Sequence, residues 1–339
     1  MNWWLRFKEF VVRHAFSGIG GAVVIFLALM FALMFYWSRE PAQFNVREVA
    51  LREIGGDQKR MWPGVVTTAT TIEVVNTLLN KSGGYVSNDK LPPGLFMDNM
   101  PNWEYGVLVQ VRDIAKSLRN DMSRSQTQSA EDKDLADAEP HFNYQNDAWI
   151  LPSSESEYRQ GREALRRYLA RLTDDNDQNA QFYARADNLR DWLALVEKRL
   201  GSLAQRLSAS VGQERYNTDI ASEVSAAGST DERAQITVKT PWLEIDDVFY
   251  EARGTAWALI HFLHAAEVDF GVVLDKKNAR VSLQQVIREL EGTQQPMWSP
   301  MVLNGTGFGF VANHSLVMAS YISRANAAII DLRRLLEQG

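Results

Sequence analysis

The chain contains no cysteine, which excludes disulfides, thiol catalysis and thiolate metal sites. Nor is there a surplus of positive charge: 36 Lys and Arg stand against 42 Asp and Glu, for a formal charge of −6. Proteins that bind by neutralising phosphates are usually basic, so no nucleic acid is expected among the partners. Strand signals are limited to short runs at 236–238 and 270–274, enough for at most a minor hairpin. No internal repeat of fixed period occurs. What is present is ordinary globular composition, 45 % hydrophobic and 23 % charged over 339 residues, sufficient for a core and for more than one structural unit.

Residues 16–37 read FSGIGGAVVIFLALMFALMFYW without a charge. About 20 apolar residues cross a hydrocarbon layer of roughly 30 Å, so this segment predicts a single transmembrane anchor. Trp3, Trp4, Tyr36 and Trp37 stand where interfacial aromatics belong. Residues 1–15 form a short tail in which Trp3, Phe7, Phe10 and Val11 share a helical face, as an interfacial helix would. A cleaved signal peptide is the competing reading, but its apolar region is shorter, about 7–15 residues, and a clear small-x-small site is missing. Arg6, Lys8 and Arg13 before the span nearly balance Arg39, Arg47 and Arg52 after it. The short basic tail favours an inside N-terminus and an outside, periplasmic, domain. Gly18 and Ala22 offer a small-residue spacing for close helix approach, although glycine is common in membrane helices generally.

Behind the span, apolar residues recur at spacings of three and four. Leu108, Val111, Ala115, Leu118 and Met122 make one stripe, and Tyr158, Leu165, Tyr168 and Leu172 another. A heptad-type seam runs Phe182, Ala186, Leu189, Leu193, Val196, Leu200, Leu203, Leu207, and a last stripe runs from Met318 to Leu336. Several amphipathic helices in one chain predict a mainly α, multi-helix bundle. The 182–207 seam also permits a homodimeric coiled coil, but among several amphipathic helices of one chain packing within the chain is the favoured use. Thr240-Pro241 ahead of Glu244, Asp246 and Asp247 reads as a helix start, and Ser282 with Gln285 as a capping box. Residues 208–239 read as a flexible connection, weakly helical at 219–226, between a first half (38–207) and a second half (240–339).

Two segments differ from ordinary linkers: KSGGYVSNDKLPPGLFMDNMPNWEYG from Lys81, and EPHFNYQNDAWILPSSESEYRQG from Glu139. Their aromatics predict packed, ordered loops, because exposed rings are unfavourable. Ordered long loops are often functional, so Tyr85, Asp98, Trp103, Glu104, Tyr105, Trp149, Glu155 and Tyr158 are the candidate partner-binding residues, centred on the two tryptophans. The bland alternative is that these aromatics simply plug one end of the bundle.

The runs GGYVSND, PPG, MDNMPNWEYG, SRSQTQS and WILPSSESEY, as they stand here, resemble a family of proteobacterial proteins catalogued only as a domain of unknown function. The resemblance spans most of the chain, anchor included. It implies a single-span inner-membrane protein and supplies no catalytic residues.

Chemistry-bearing patterns are weak. Ser87-Asn88-Asp89-Lys90 matches Ser-x-x-Lys, but Lys239-Thr240-Pro241 is a poor stand-in for the companion Lys-Thr-Gly. His261, His264 and Glu267 share a helix and are the only metal candidates, although packed histidines explain them better, and no cofactor is implied. Asp98, Glu104, Glu155 and Glu157 would serve glycan cleavage if paired about 5–10 Å apart. Residues 305–309 are glycine-rich without the lysine of a phosphate loop and read as a turn. The expectation is a membrane-anchored binding or scaffold module for another envelope protein. An envelope hydrolase using loop carboxylates or Ser87 is the alternative.

Overall fold

A computed structural model describes residues 2–126, 129–174, 179–216, 235–299, 301–306 and 309–338. Helix α1 (Asn2–Trp37) runs unbroken for 36 residues, so the boundary between tail and span leaves no mark in the backbone. Its window Gly20–Trp37 has a mean hydropathy of 2.2 and none of it is buried against the rest of the chain.

The remaining helices are α2 (Val46–Glu53), α3 (Val65–Asn80), α4 (Asn99–Ser117), α5 (Lys133–Phe142), α6 (Ser154–Leu172), α7 (Ala186–Ser208), α8 (Ile245–Asp269), α9 (Gly271–Lys276), α10 (Arg280–Gly292) and α11 (His314–Glu337). Strands β1 (Gln213–Tyr216) and β2 (Gln235–Val238) pair antiparallel, with Gln213 opposite Val238. The predicted helical bundle with a minor hairpin is therefore the observed architecture. Local starts follow capping chemistry: Asn45, Asp132, Ser153 and Asn313 each accept first-turn backbone N–H groups of α2, α5, α6 and α11.

Helix α8 is the centre, buried on every face from Ala252 to Leu263. Two glycines let α4 approach it. A Cβ on Gly254 would lie 2.0 Å from the Trp103 carbonyl oxygen, and one on Gly106 would lie 2.2 Å from that of Glu251. Asn102 donates to Asp247 and Thr255 to the Gly106 carbonyl, so α4 and α8 run parallel. Around them, α7 and α11 are antiparallel, tied by Glu197–Arg333 and by Gly201 facing Asn326. Helices α10 and α11 are antiparallel through Glu289–Arg324, and α5 and α6 through His141–Glu157 and Asp134–Arg171. The starts of α4, α6, α8 and α11 and the ends of α3, α5, α7 and α10 consequently gather at one end of the bundle.

The 182–207 seam packs within the chain, as favoured: Leu189, Leu193, Val196, Leu200, Leu203 and Leu207 are buried and α11 is their partner. Several expectations need correction. Residues 271–274 are helical and follow a turn at Phe270, since Phe270 and Leu274 bury together one turn apart while Val272 faces out. Helix α10 begins at Arg280, ahead of Ser282, directly after a turn at Asn278 with φ 51°. Helix α8 begins at Ile245 after a single 3₁₀ turn, and Thr240 instead donates to the Arg206 carbonyl. The weak helix at 219–226 and part of the 305–309 turn fall outside the described residues.

Candidate functional site

Where α3 ends, Gly83 (φ 85°) and Gly84 (φ 72°) take left-handed conformations that turn the chain back on itself. The turn aims the amides of Val86 and Ser87 at the Glu104 carboxylate, each 2.8 Å away. The Ser87 hydroxyl donates to the same carboxylate. Lys81 reaches Glu104 Oε1 at 2.6 Å and also donates to the Gly84 carbonyl at 2.6 Å. Both side chains are sealed from solvent. Burial pushes the Glu104 carboxyl up from its usual range, and the Lys81 ammonium beside it pulls the other way.

This knot clamps the second unusual loop. Asn88 donates to the Ala148 carbonyl at 2.8 Å and to Glu155 Oε2 at 2.7 Å, and the Tyr85 hydroxyl donates to the Asn146 carbonyl at 2.8 Å. The Tyr85 and Tyr158 rings meet edge to face, 5.6 Å between centroids. Burial raises both phenols above their ordinary value. Asp89 is raised by burial first and by Glu155 second.

Four predicted residues, Tyr85, Glu104, Glu155 and Tyr158, are thus brought together, as an internal clasp. Trp103 is fully buried against Trp257 in the core, so it is no surface anchor. It lies on α4 together with Glu104 and Tyr105; none of the three is in a loop. Asp98 is exposed and caps α4, Trp149 is half exposed, and Tyr105 borders a polar groove with Arg199 and Arg206. Asp98, Ser87 and Glu104 do not share a cleft: Asp98 sits beside Asp246 and Asp247, whose carboxyl is pushed up to about 6 by burial and then by neighbouring acids. With both Glu104 oxygens occupied by donors, Glu104 is not free to act as acid or base on a substrate.

His261 also has a structural place. Its Nδ1 bonds the Trp257 carbonyl at 2.7 Å, while Nε2 accepts from the Phe44 amide at 3.0 Å, so the ring is neutral with its proton on Nδ1. Burial lowers its pKa to about 4. His264 and Glu267 border a separate groove with Arg280, and among the described residues no three His, Asp or Glu side chains converge as a metal site.

Sequence reasoning missed Lys81, and it missed Arg253. Arg253 donates twice to Glu40, at 2.7 Å each, and to the carbonyls of Thr293 and Gln295 at 3.0 Å. A lone cation inside the apolar α8 stripe was the signal available. Beside it opens a cavity of about 330 Å³, largely apolar, between α8, α11 and the segment after α10. Phe249, Met297, Trp298, Met318 and Tyr321 form its walls.

A helical bundle built around a parallel α4–α8 pair, with one apolar helix in front and a buried Lys–Glu clasp, defines the class. The chain belongs to the family described as an uncharacterised protein conserved in bacteria (DUF2333), which matches residues 11–339. No curated protein and no solved structure matches it.

Proposed function

We propose that this chain is a single-pass inner-membrane protein whose bundle, on the periplasmic side, binds another envelope protein without performing chemistry. The cavity beside Arg253 carries the reading. It is open and walled by large apolar side chains, and its one buried cation is already saturated by Glu40 and two carbonyls. Such a site suits an apolar segment of a partner, anchored by contact with Trp298 and Tyr321. The hydrolase alternative draws no support from Ser87 or Glu104, because the Ser87 proton and both Glu104 oxygens are committed internally.

The anchor reading rests on the exposed, uncharged Gly20–Trp37 window. Photo-crosslinking in intact cells from a probe at Val317, on the rim of the cavity, tests the binding role. A discrete protein adduct is expected. Glycan adducts, or none, would remove the binding-module reading. Labelling of Val281→Cys from outside the inner membrane tests the orientation without background, since the chain has no other cysteine.

A further inference from the structure

The large apolar side chains left exposed by the bundle are distributed unequally between its ends. Phe96 stands just before α4, Leu151 before α6, Trp242 and Leu243 before α8, Phe310 before α11, and Trp298 after α10; all are exposed. Those are the helix ends gathered on one side. Leu151 is 91 % and Trp298 95 % accessible, so these are projecting side chains and not rims of a core. At the opposite end only Val272 and Val281 stand out among the described residues.

Helix α1 leaves from the same side. Its last residue, Trp37, covers Gly83 so closely that a Cβ there would sit 2.5 Å from the indole. Three residues on, Glu40 is bonded to Arg253, one turn beyond Phe249 near the start of α8. With Asn102 near the start of α4 donating to Asp247 near the start of α8 at 2.7 Å, the Glu40–Arg253 pair places the α1 exit beside the starts of α4 and α8.

We infer that this end of the bundle is seated on the lipid bilayer, with Phe96, Leu151, Trp242, Leu243, Trp298 and Phe310 dipping into its interface. The inference rests on the reading of α1 as an anchor. Contiguous exposed apolar surface marks an interaction site, and aromatics flanking a span sit at headgroup depth. A bilayer entered by α1 would lie against this end before any soluble partner could. The charges at this end are of both signs, with Asp98, Glu244, Asp246 and Asp247 beside Arg39, Lys90 and Lys239. With no wholly basic face to draw it to anionic lipid, this end seats by apolar insertion, on a neutral membrane as well. The cavity beside Arg253, which Trp298 borders, then opens at the membrane surface, where a partner's membrane-proximal segment passes.

The test uses the full chain in phosphatidylcholine nanodiscs, with single cysteines carrying an environment-sensitive fluorophore. Phe96→Cys, Leu151→Cys and Trp298→Cys report the rim, Val281→Cys the far end and Leu29→Cys the anchor. Expected is loss of emission to acyl-chain nitroxides at Leu29 and at the three rim positions, with aqueous iodide quenching only the Val281 label. Quenching by nitroxide at Leu29 alone, with iodide reaching the rim, would overturn the seating and leave the anchor standing. Rim labels shielded from both quenchers would also overturn it, indicating contact between protein copies. A Leu29 label untouched by nitroxide would overturn the anchor reading, and the seating with it.

Discussion

Glu104 near the α1 end and Asp269 at the far end are both shut away from solvent, yet they are held by different means. Glu104 faces an ammonium group, a hydroxyl and the amides of a tight turn. Among the described residues Asp269 has no cation beside it. It accepts from the Thr67 amide and hydroxyl, both at 2.7 Å, and so supplies from α8 the side-chain cap that Gly64 cannot give to α3. The first arrangement fixes the path of a loop; the second fixes the docking of one helix on another. Loop path needs several directional donors from irregular backbone, whereas helix docking needs only one acceptor at a helix start.

Breaking the Glu104 arrangement gives the largest expected effect. Lys81→Met leaves an uncompensated buried carboxylate and should destabilise by about 3–5 kcal/mol in thermal or denaturant melts. Adding Glu104→Gln should restore much of the loss; a double variant as weak as Lys81→Met alone would show that the turn, not the ion pair, holds the loop. Trp103→Ala should cost a comparable ~3–5 kcal/mol, because a large buried side chain leaves a cavity between α4 and α8.

The second arrangement is sharpened by pH. The Asp269 carboxyl is pushed by burial from 3.8 up to about 6, so between those values the native state holds the proton that the unfolded chain has released. Its contribution is therefore fully present below about pH 4 and is lost as pH rises through 6. His261 works oppositely: burial lowers it from 6.5 to about 4, so stability is lost as pH falls from 6.5 toward 4. The two slopes oppose each other in the wild type. Relative to the wild type, Asp269→Asn should tilt the Tm profile toward a fall on acidification, and His261→Gln should tilt it toward a rise. Unchanged pH profiles in both variants would contradict the assignment of these groups. The smallest effect belongs to Trp149→Ala, which should shift stability by about 0.5 kcal/mol because half of the side chain is already in solvent.

The stripes from Leu189 to Leu207 and from Met318 to Leu336 were legible because burial on one helix face imposes a three-to-four spacing. The start of α4 was hidden by Pro101, which suggests a loop but fits a first helical turn, where the missing N–H has no partner to lose. That hid the fact that Trp103 faces the core. Pro140 similarly masks the last turn of α5. The candidate loops were recognisable by composition, and four of their residues do converge. The Lys81–Glu104 partnership joins a helix end to the next helix across an irregular turn, a distance with no periodic signature. Arg253 pairs with Glu40 across most of the chain, which no local pattern reports.

The segment 38–45 joins α1 to α2 and is pinned twice, by Glu40 on Arg253 and by Phe44 stacked 4.0 Å over His261. It is therefore not a tether. A domain on a loose linker sweeps a hemisphere and meets a neighbour in random orientations, so docking must stop its tumbling. On the proposed reading, with α1 in a bilayer, height and facing would be set before encounter, and the search would be confined to gliding and rotation about a single axis. A modest contact patch would then suffice for residence beside the proposed neighbour in the same membrane, and lengthening 38–45 would weaken that residence without altering any contacting residue.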